Sequence, residues 1–275
     1  GASMNPFDVF LTTPILNLLV ALFKILDSAA IPGSLGLAII LLTVIIRMAL
    51  WPLTTAQLKS TQKMAALKPH LDRIKAEHGH DKIRHQQEVS NLYKEHGVNP
   101  LAGCLPLLLQ IPVFFALYNV LLKIVEFGKT DFIASINSKL YWQALHLQST
   151  PPTNFLGFNL AAKPSDWQTV GFAILVIPVA TGLFQLIQSK MLTSAHAKKP
   201  PKDSKEKENI EDTMAQVQSQ MTFIMPAMIA FFSYGFPVGL SLYWNTFTVI
   251  GIIQQYIVSG PGALGKYLPQ KWRKL

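Results

Sequence analysis

The chain has 275 residues, half of them hydrophobic, with a formal net charge of +9 and a mean hydropathy of +0.30. Together with several apolar runs of spanning length, these values exclude an ordinary soluble domain and leave an integral membrane protein. The single cysteine, Cys104, excludes an internal disulfide framework, and the basic residues fall between or after the apolar runs rather than in one nucleic-acid-binding block.

Gly1, Ala2 and Ser3 ahead of Met4 read as an expression remnant. Residues 14–26 are apolar at their centre, but Asp8 precedes them where a cleavable signal would carry positive charge. Asn17, Lys24 and Asp27 fall near one another on a helical wheel, a narrow polar stripe on a cylinder about 20 Å long at about 1.5 Å per residue. That is short for a span, so the N-terminal stretch 1–33 is expected to carry an amphipathic helix lying in the membrane interface. A sixth span from about residue 6 to residue 30 is the alternative.

Residues 34–53 (SLGLAIILLTVIIRMALWPL) are apolar, glycine or hydroxyl-bearing apart from Arg47. Twenty residues at about 1.5 Å each reach roughly 30 Å, the thickness of the hydrocarbon layer, so a transmembrane helix is expected. A guanidinium there costs about 3 kcal/mol on insertion scales and cannot shed its proton. Such a group faces water or protein and marks a working site, or else it snorkels, since Pro52 ends the helix about 8 Å further on. Thr43, one turn earlier on the same face, with Gly36 near the stripe, favours a polar-tolerant strip.

Residues 54–100 are strongly charged, with Lys59, Lys63, Lys68, Arg73, Lys75, Lys82, Arg84 and Lys94. Leu58, Met64, Leu67, Leu71 and Ile74, then Ile83, Val89 and Leu92, leave long polar faces. Gly79, His80 and Asp81 break the pattern, which predicts a solvated helical hairpin. Four further apolar runs follow at 103–122, 168–189, 220–236 and 239–258, the last two joined by a tight turn at Phe236 and Pro237. The expected fold is therefore an all-α integral membrane protein with five transmembrane helices, the interfacial N-terminal helix and the hairpin. The five-span core covers 34–258 and a basic tail follows at 259–275.

Charge sets the orientation. Segments 55–102, 191–218 and 259–275 carry eight, five and four Lys or Arg, whereas the N-terminal stretch and the loop 123–167 together carry five. The positive-inside rule puts the hairpin, the 191–218 loop and the tail in the cytoplasm, and the N-terminus outside. In the outward loop, Tyr141, Trp142, Phe155 and Trp167 point to interfacial anchoring. Residues 195–212 are highly charged with two prolines and read as a mobile linker. No internal repeat is found, which weakens a secondary-transporter reading.

Polar groups recur inside the spans at helical spacing: Thr181, Gln185 and Gln188 on one face, and Ser241, Asn245 and Thr248 on another. Either they are hydrogen-bonding glue worth roughly 0.6–2 kcal/mol each, or they converge with Arg47 on a water-filled cavity that attracts acidic groups. Met214, Met221, Met225 and Met228 share a face, as ordinary packing or as a surface for varied apolar partners. Enzymatic chemistry finds no residues: the five expected spans hold no Asp or Glu, there is no HExxH or Cys pair, and no glycine-rich phosphate loop. Acidic residues interleave the hairpin's basic ones, giving a solvated face rather than a nucleic-acid site.

Three ordered motifs resemble the core of the YidC membrane-protein insertases: IIRMALWPLTTAQLKSTQKMAALKP (45–69), NLYKEHGVNPLAGCLPLLLQIPVFFALYNVL (91–121) and MTFIMPAMIAFFSYGFPVGLSLYWNTFTVIGIIQQ (221–255). The resemblance covers about residues 34–258. It implies five core spans with a cytoplasmic hairpin after the first, and insertion of newly made membrane proteins through a hydrophilic groove open to cytoplasm and lipid. It also implies action alone or beside the Sec translocon, nascent membrane-protein clients, ribosome and lipid bilayer as partners, a bacterial plasma-membrane location, and no nucleotide, metal or nucleic-acid substrate. Position by position, Arg47 matches the groove arginine, Thr43 its polar neighbour, and Tyr243 and Trp244 the client-contacting aromatic pair. Gln185 or Gln188 supplies the groove amide, and Asn245 shares the polar face. The sequence is similar to members without the large extracytoplasmic domain, and its tail is short for strong ribosome tethering.

On this reading Thr43 and Arg47, the Gln185 and Gln188 face, and Tyr243 and Trp244 line one cleft, closed towards the outside by Ile39, Ile40, Phe231 and Phe232. A small-solute channel or transporter, and a structural assembly factor using its polar faces only as glue, are the alternatives.

Overall fold

The computed structural model of the chain describes residues 5–99, 105–125, 131–192 and 210–270, with side chains described outside 105–109, 124–125, 210–219 and 221. It is almost wholly helical. In chain order come α1 (Asp8–Ser28, opening with a π-helical turn), α2 (Ser34–Ala49), α3 (Trp51–Ala66), α4 (Lys68–His78) and α5 (Lys82–Glu95). After these come α6 (Leu105–Val125), the short α7 (Phe132–Asn137), the two-residue strands β1 (Asn154–Phe155) and β2 (Phe158–Asn159), and the single turn α8 (Trp167–Val170). The chain continues with α9 (Val176–Leu192), α10 (Ile210–Gly235) and α11 (Val238–Ser259).

By length and hydropathy, Asp8–Ser28 and Phe172–Leu192 are able to cross a membrane, and a third span results if α2 and α3 are one broken span. Gln110–Lys123 and Thr222–Gly235 are shorter apolar helices. The N-terminal helix thus has spanning length where a shorter interfacial one was expected. The difference is the turn Asp8–Thr12 ahead of Thr13, with Pro14 at the start of the regular helix. A wide π turn relieves the clash between a proline ring and the carbonyl four residues before it.

Other boundaries also differ from expectation. The run 34–53 breaks at Leu50 because Pro52 opens α3, where its missing N–H is harmless, and cannot continue α2. Arg47 therefore sits in the last turn of α2. The run 168–189 is interrupted at Gly171, whose φ of 104° belongs to glycine, and the long helix starts only beyond it. α10 begins at Ile210, inside the expected linker 195–212, most of which lies outside the described residues.

The contacts divide the chain into two compact units, 1–49 with 108–184 and 227–250, and 50–107 with 185–226 and 251–275. In the first, α2 presents Leu35, Ala38, Ile39 and Leu42, a one-face repeat, to the core that also holds Leu16, Leu19, Val20 and Phe23 of α1. α6 adds Leu117, Val120 and Leu121, and α11 adds Val238, Leu240 and Tyr243.

The aromatic residues expected to anchor the 123–167 loop divide. Tyr141 and Trp142 are exposed and pack edge to face, as interfacial anchors would. Phe155 and Trp167 instead pack on the core, and the Phe155 ring lies so close to Gly36 that a Cβ there would overlap it. Gly36 is therefore a seat for Phe155 rather than part of a polar strip. The N–H groups of Val238 and Gly239 donate to the carbonyls of Ala162 and Leu160, each at 2.9 Å, so this loop caps the start of α11.

The polar stripe of α1 grips the same loop. Asn17 accepts from the Tyr141 N–H at 2.7 Å and donates to the Lys139 carbonyl at 3.0 Å. Lys24 Nζ donates to the carbonyls of Ala144 and His146 at 2.6 and 3.0 Å. A stripe read as facing interfacial water is thus mostly spent on backbone partners.

In the second unit, α4 and α5 pack through Leu67, Leu92 and Val98, with Met64, Leu71, Ile74 and Tyr93 against them. Asp81 caps α5, accepting from the N–H groups of Ile83 and Arg84 at 3.1 Å each. Gln254, fully buried on α11, donates to the Trp51 carbonyl and to Thr55 Oγ1 at 2.9 and 3.0 Å, which ties it to the first turn of α3.

Candidate functional site

Arg47 is 5 % exposed. Its Nε is buried without a hydrogen-bond partner, and among the described residues no carboxylate pairs with it. What meets it is an aromatic face: the guanidinium carbon lies 4.2 Å from the centre of the Phe247 ring. Separations below about 6 Å allow the ring quadrupole to attract the cation, most strongly where water is excluded. The last-turn position adds a favourable interaction with the C-terminal end of the α2 dipole.

Phe247 is one turn from Tyr243 on α11, and their ring centres are 5.9 Å apart. Tyr243 is completely buried, and its hydroxyl accepts from Gln110 Nε2 of α6 at 2.7 Å. Gln110, Tyr243, Phe247 and Arg47 therefore form one connected series across α6, α11 and α2. Tyr243, expected as a client contact, is enclosed here between α6 and α11. Trp244, beside it, is half-buried and edge-on to Phe114 at 5.5 Å.

The neighbouring hydroxyls are satisfied within the protein. Thr43 is fully buried and donates to the Ile39 carbonyl of its own helix at 2.7 Å. Thr248 donates to the Trp244 carbonyl at 2.8 Å. Thr181 and Ser233 are 3.3 Å apart, and Ser233 and Ser241 2.9 Å, which joins α9, α10 and α11 by hydroxyl contacts. For Thr181 and Ser241 the hydrogen-bonding glue is the arrangement present. Asn245 differs, because its Oδ1 is buried without a hydrogen-bond partner.

Gln185 and Gln188 are half-buried and belong to the second unit. Met225 is half-buried and Met228 exposed, while the side chains of Met214 and Met221 lie outside the described residues. Of the expected outer seal, Ile39 is buried in the core, whereas Phe231 and Phe232 are 73 % and 44 % exposed. Among the described residues no three His, Cys, Asp or Glu side chains gather as a metal site would require.

Gln110 and Phe247 were not singled out from the sequence as site residues. Gln110 had a signal, a lone amide in an apolar run. Phe247 had none, because an aromatic residue in a membrane helix is ordinary until its neighbour across the bundle is known.

The family model described as 60Kd inner membrane protein matches residues 26–262. This chain belongs to that family. Among named relatives of the 60Kd inner membrane protein family, the membrane protein insertase YidC of Pelagibacter ubique is 34 % identical over 265 residues, 93 % of this chain and 41 % of that protein. The membrane protein insertase YidC of Caulobacter vibrioides is 32 % identical over 250 residues, 90 % of this chain and 36 % of its own length. That of Rickettsia prowazekii is 34 % identical over 230 residues, 82 % and 36 % of the two lengths. The chain thus spans about two-fifths of the length of these relatives. Membership in the family, with the apolar helices, makes it a bacterial inner-membrane protein.

Proposed function

We propose that this protein is a membrane-protein insertase and chaperone, taking newly made membrane proteins into the bilayer through a hydrophilic groove open to cytoplasm and lipid. The observation that carries the reading is Arg47: a buried cation at the end of an apolar helix, held by a neutral ring, with no carboxylate paired to it among the described residues. A permanent structural cation is ordinarily paired, whereas one kept unpaired retains its field for a visiting acidic group. The insertase names of the relatives support the same function.

The work is to lower the cost of moving a polar segment. Each charge of a client drawn through hydrocarbon costs about 3 kcal/mol or more. A wet cavity reaching part of the way shortens the apolar path, and Arg47 supplies a transient counter-charge. The client's apolar helix then leaves sideways, past Trp244 and the methionine face of Met225 and Met228, into lipid. Gln185 or Gln188 supplies an amide to the groove, and Asn245 offers its carbonyl oxygen. The cycle is driven by the client's own partitioning, so the protein is not an enzyme and uses no nucleotide or metal.

The topology that accompanies this reading has five spans, residues 54–100 as a cytoplasmic helical hairpin, the N-terminus outside and the tail in the cytoplasm. The excess of Lys and Arg on the hairpin, the 191–218 loop and the tail supports that orientation. Partners are nascent clients and lipid, with the Sec translocon and the ribosome as further partners. The test is reconstitution of the protein alone in liposomes with a short single-span client. Protease-protected client is expected only when the protein is present, and protection equal to that in empty liposomes contradicts the function.

A further inference from the structure

We propose that Phe247 is the positioning residue for Arg47: its ring face holds the guanidinium at the site without neutralising it. The inference rests on the insertase reading for its functional consequence but on geometry for the contact itself. Arg47 has five N–H donors on a rigid plane, yet Nε is buried without a hydrogen-bond partner, and the guanidinium carbon lies 4.2 Å from the centre of the Phe247 ring. That ring is itself braced. Tyr243 packs on it at 5.9 Å and is anchored by Gln110 at 2.7 Å, so α6 and α11 together fix the surface on which the α2 cation rests.

The choice of an aromatic partner has a chemical consequence. A carboxylate would place the guanidinium equally well, but it would cancel the charge that an acidic visitor must feel. A ring attracts the cation through its quadrupole and leaves the net charge intact. A serine or leucine at position 247 would give no such hold, and the long arginine side chain would be free to snorkel towards the membrane surface.

The test replaces Phe247, in the full chain, by phenylalanine carrying one, two or three ring fluorines, which drain the ring face of electron density and nearly keep its shape. Each protein in liposomes is given two single-span clients that differ only in acidic residues in the translocated segment. The acidic-to-neutral insertion ratio is expected to fall stepwise, by roughly fivefold across the series. Phe247→Trp should retain the ratio and Phe247→Leu lose it. A ratio unchanged by fluorination, or equal loss for both clients, would overturn the proposal. Labelling of Arg47 by phenylglyoxal, resolved by mass spectrometry, needs no client. Its rate should rise severalfold with fluorination, and an unchanged rate overturns the proposal even if the unmodified protein inserts nothing, the outcome that would instead refute the insertase function.

Discussion

The guanidinium carbon of Arg47 lies 4.2 Å above the ring centre of Phe247, and this contact joins the last turn of α2 to the middle of α11. It brings a full positive charge into an apolar setting with a partner that carries no charge. Everything in the functional account depends on that imbalance.

Phe247→Glu should therefore act in a particular way. The carboxylate would pair with Arg47 and hold it in place, the desolvation of the added charge offsetting much of the attraction. It would also extinguish the free charge. Acidic clients should lose their advantage over neutral ones in reconstituted insertion, while thermal unfolding in detergent shows no loss of stability. An intact preference for acidic clients would show that the free charge is not what they read.

Gly36→Ala should destabilise the first unit, since a Cβ at that position overlaps the Phe155 ring. Overpacking of this kind costs about 1–3 kcal/mol. Combining it with Phe155→Ala, which vacates the space, should cost less than the sum of the two single changes. Additive losses in a thermal-unfolding cycle would show that the two residues do not meet.

Asn17→Ala removes the acceptor of the Tyr141 N–H and the donor to the Lys139 carbonyl, leaving both backbone groups short of a partner. Losing such bonds costs about 1–3 kcal/mol where water cannot replace them. Amide hydrogen exchange at Tyr141 should accelerate, whereas exchange in α4 and α5 should not change. Uniform acceleration across both units would assign Asn17 a global role instead.

Tyr243→Phe keeps the ring against Phe247 but leaves Gln110 without its hydroxyl acceptor. A loss of about 1 kcal/mol is expected. It should largely vanish in the double variant with Gln110→Leu, where neither polar group remains. Insertion of neutral clients should be retained in the double variant, because Tyr243 is buried and offers them no surface. Abolished insertion despite restored stability would return Tyr243 to direct client contact.

How much of this was legible in the sequence depended on whether the cause was local. The tight turn at Phe236 and Pro237 and the break at Gly79, His80 and Asp81 follow from residues adjacent in the chain, and sequence placed both. The end of α2 at Ala49 was also local, since Pro52 already forbids a continuous helix, but hydropathy over 34–53 outweighed it. The interfacial reading of α1 failed to anticipate how its polar stripe is used, because the partners of Asn17 and Lys24 are loop carbonyls and an N–H more than one hundred residues away. Arg47 announced itself through its cost in an apolar run. Phe247, Gln110 and the seat of Phe155 on Gly36 depend on which helices become neighbours, and no periodicity encodes that.

The most direct measurement is insertion by Arg47→Ala and Arg47→Lys beside the unaltered protein, in liposomes, with paired clients whose translocated segments are acidic or neutral. The account predicts that Arg47→Ala impairs the acidic client by about tenfold, equivalent to about 1.4 kcal/mol of lost attraction, and the neutral client far less. Arg47→Lys should recover part of the difference, as it restores the charge but not the planar guanidinium that lies over Phe247. Equal impairment of both clients by Arg47→Ala would contradict the attraction and leave Arg47 a residue of structure alone.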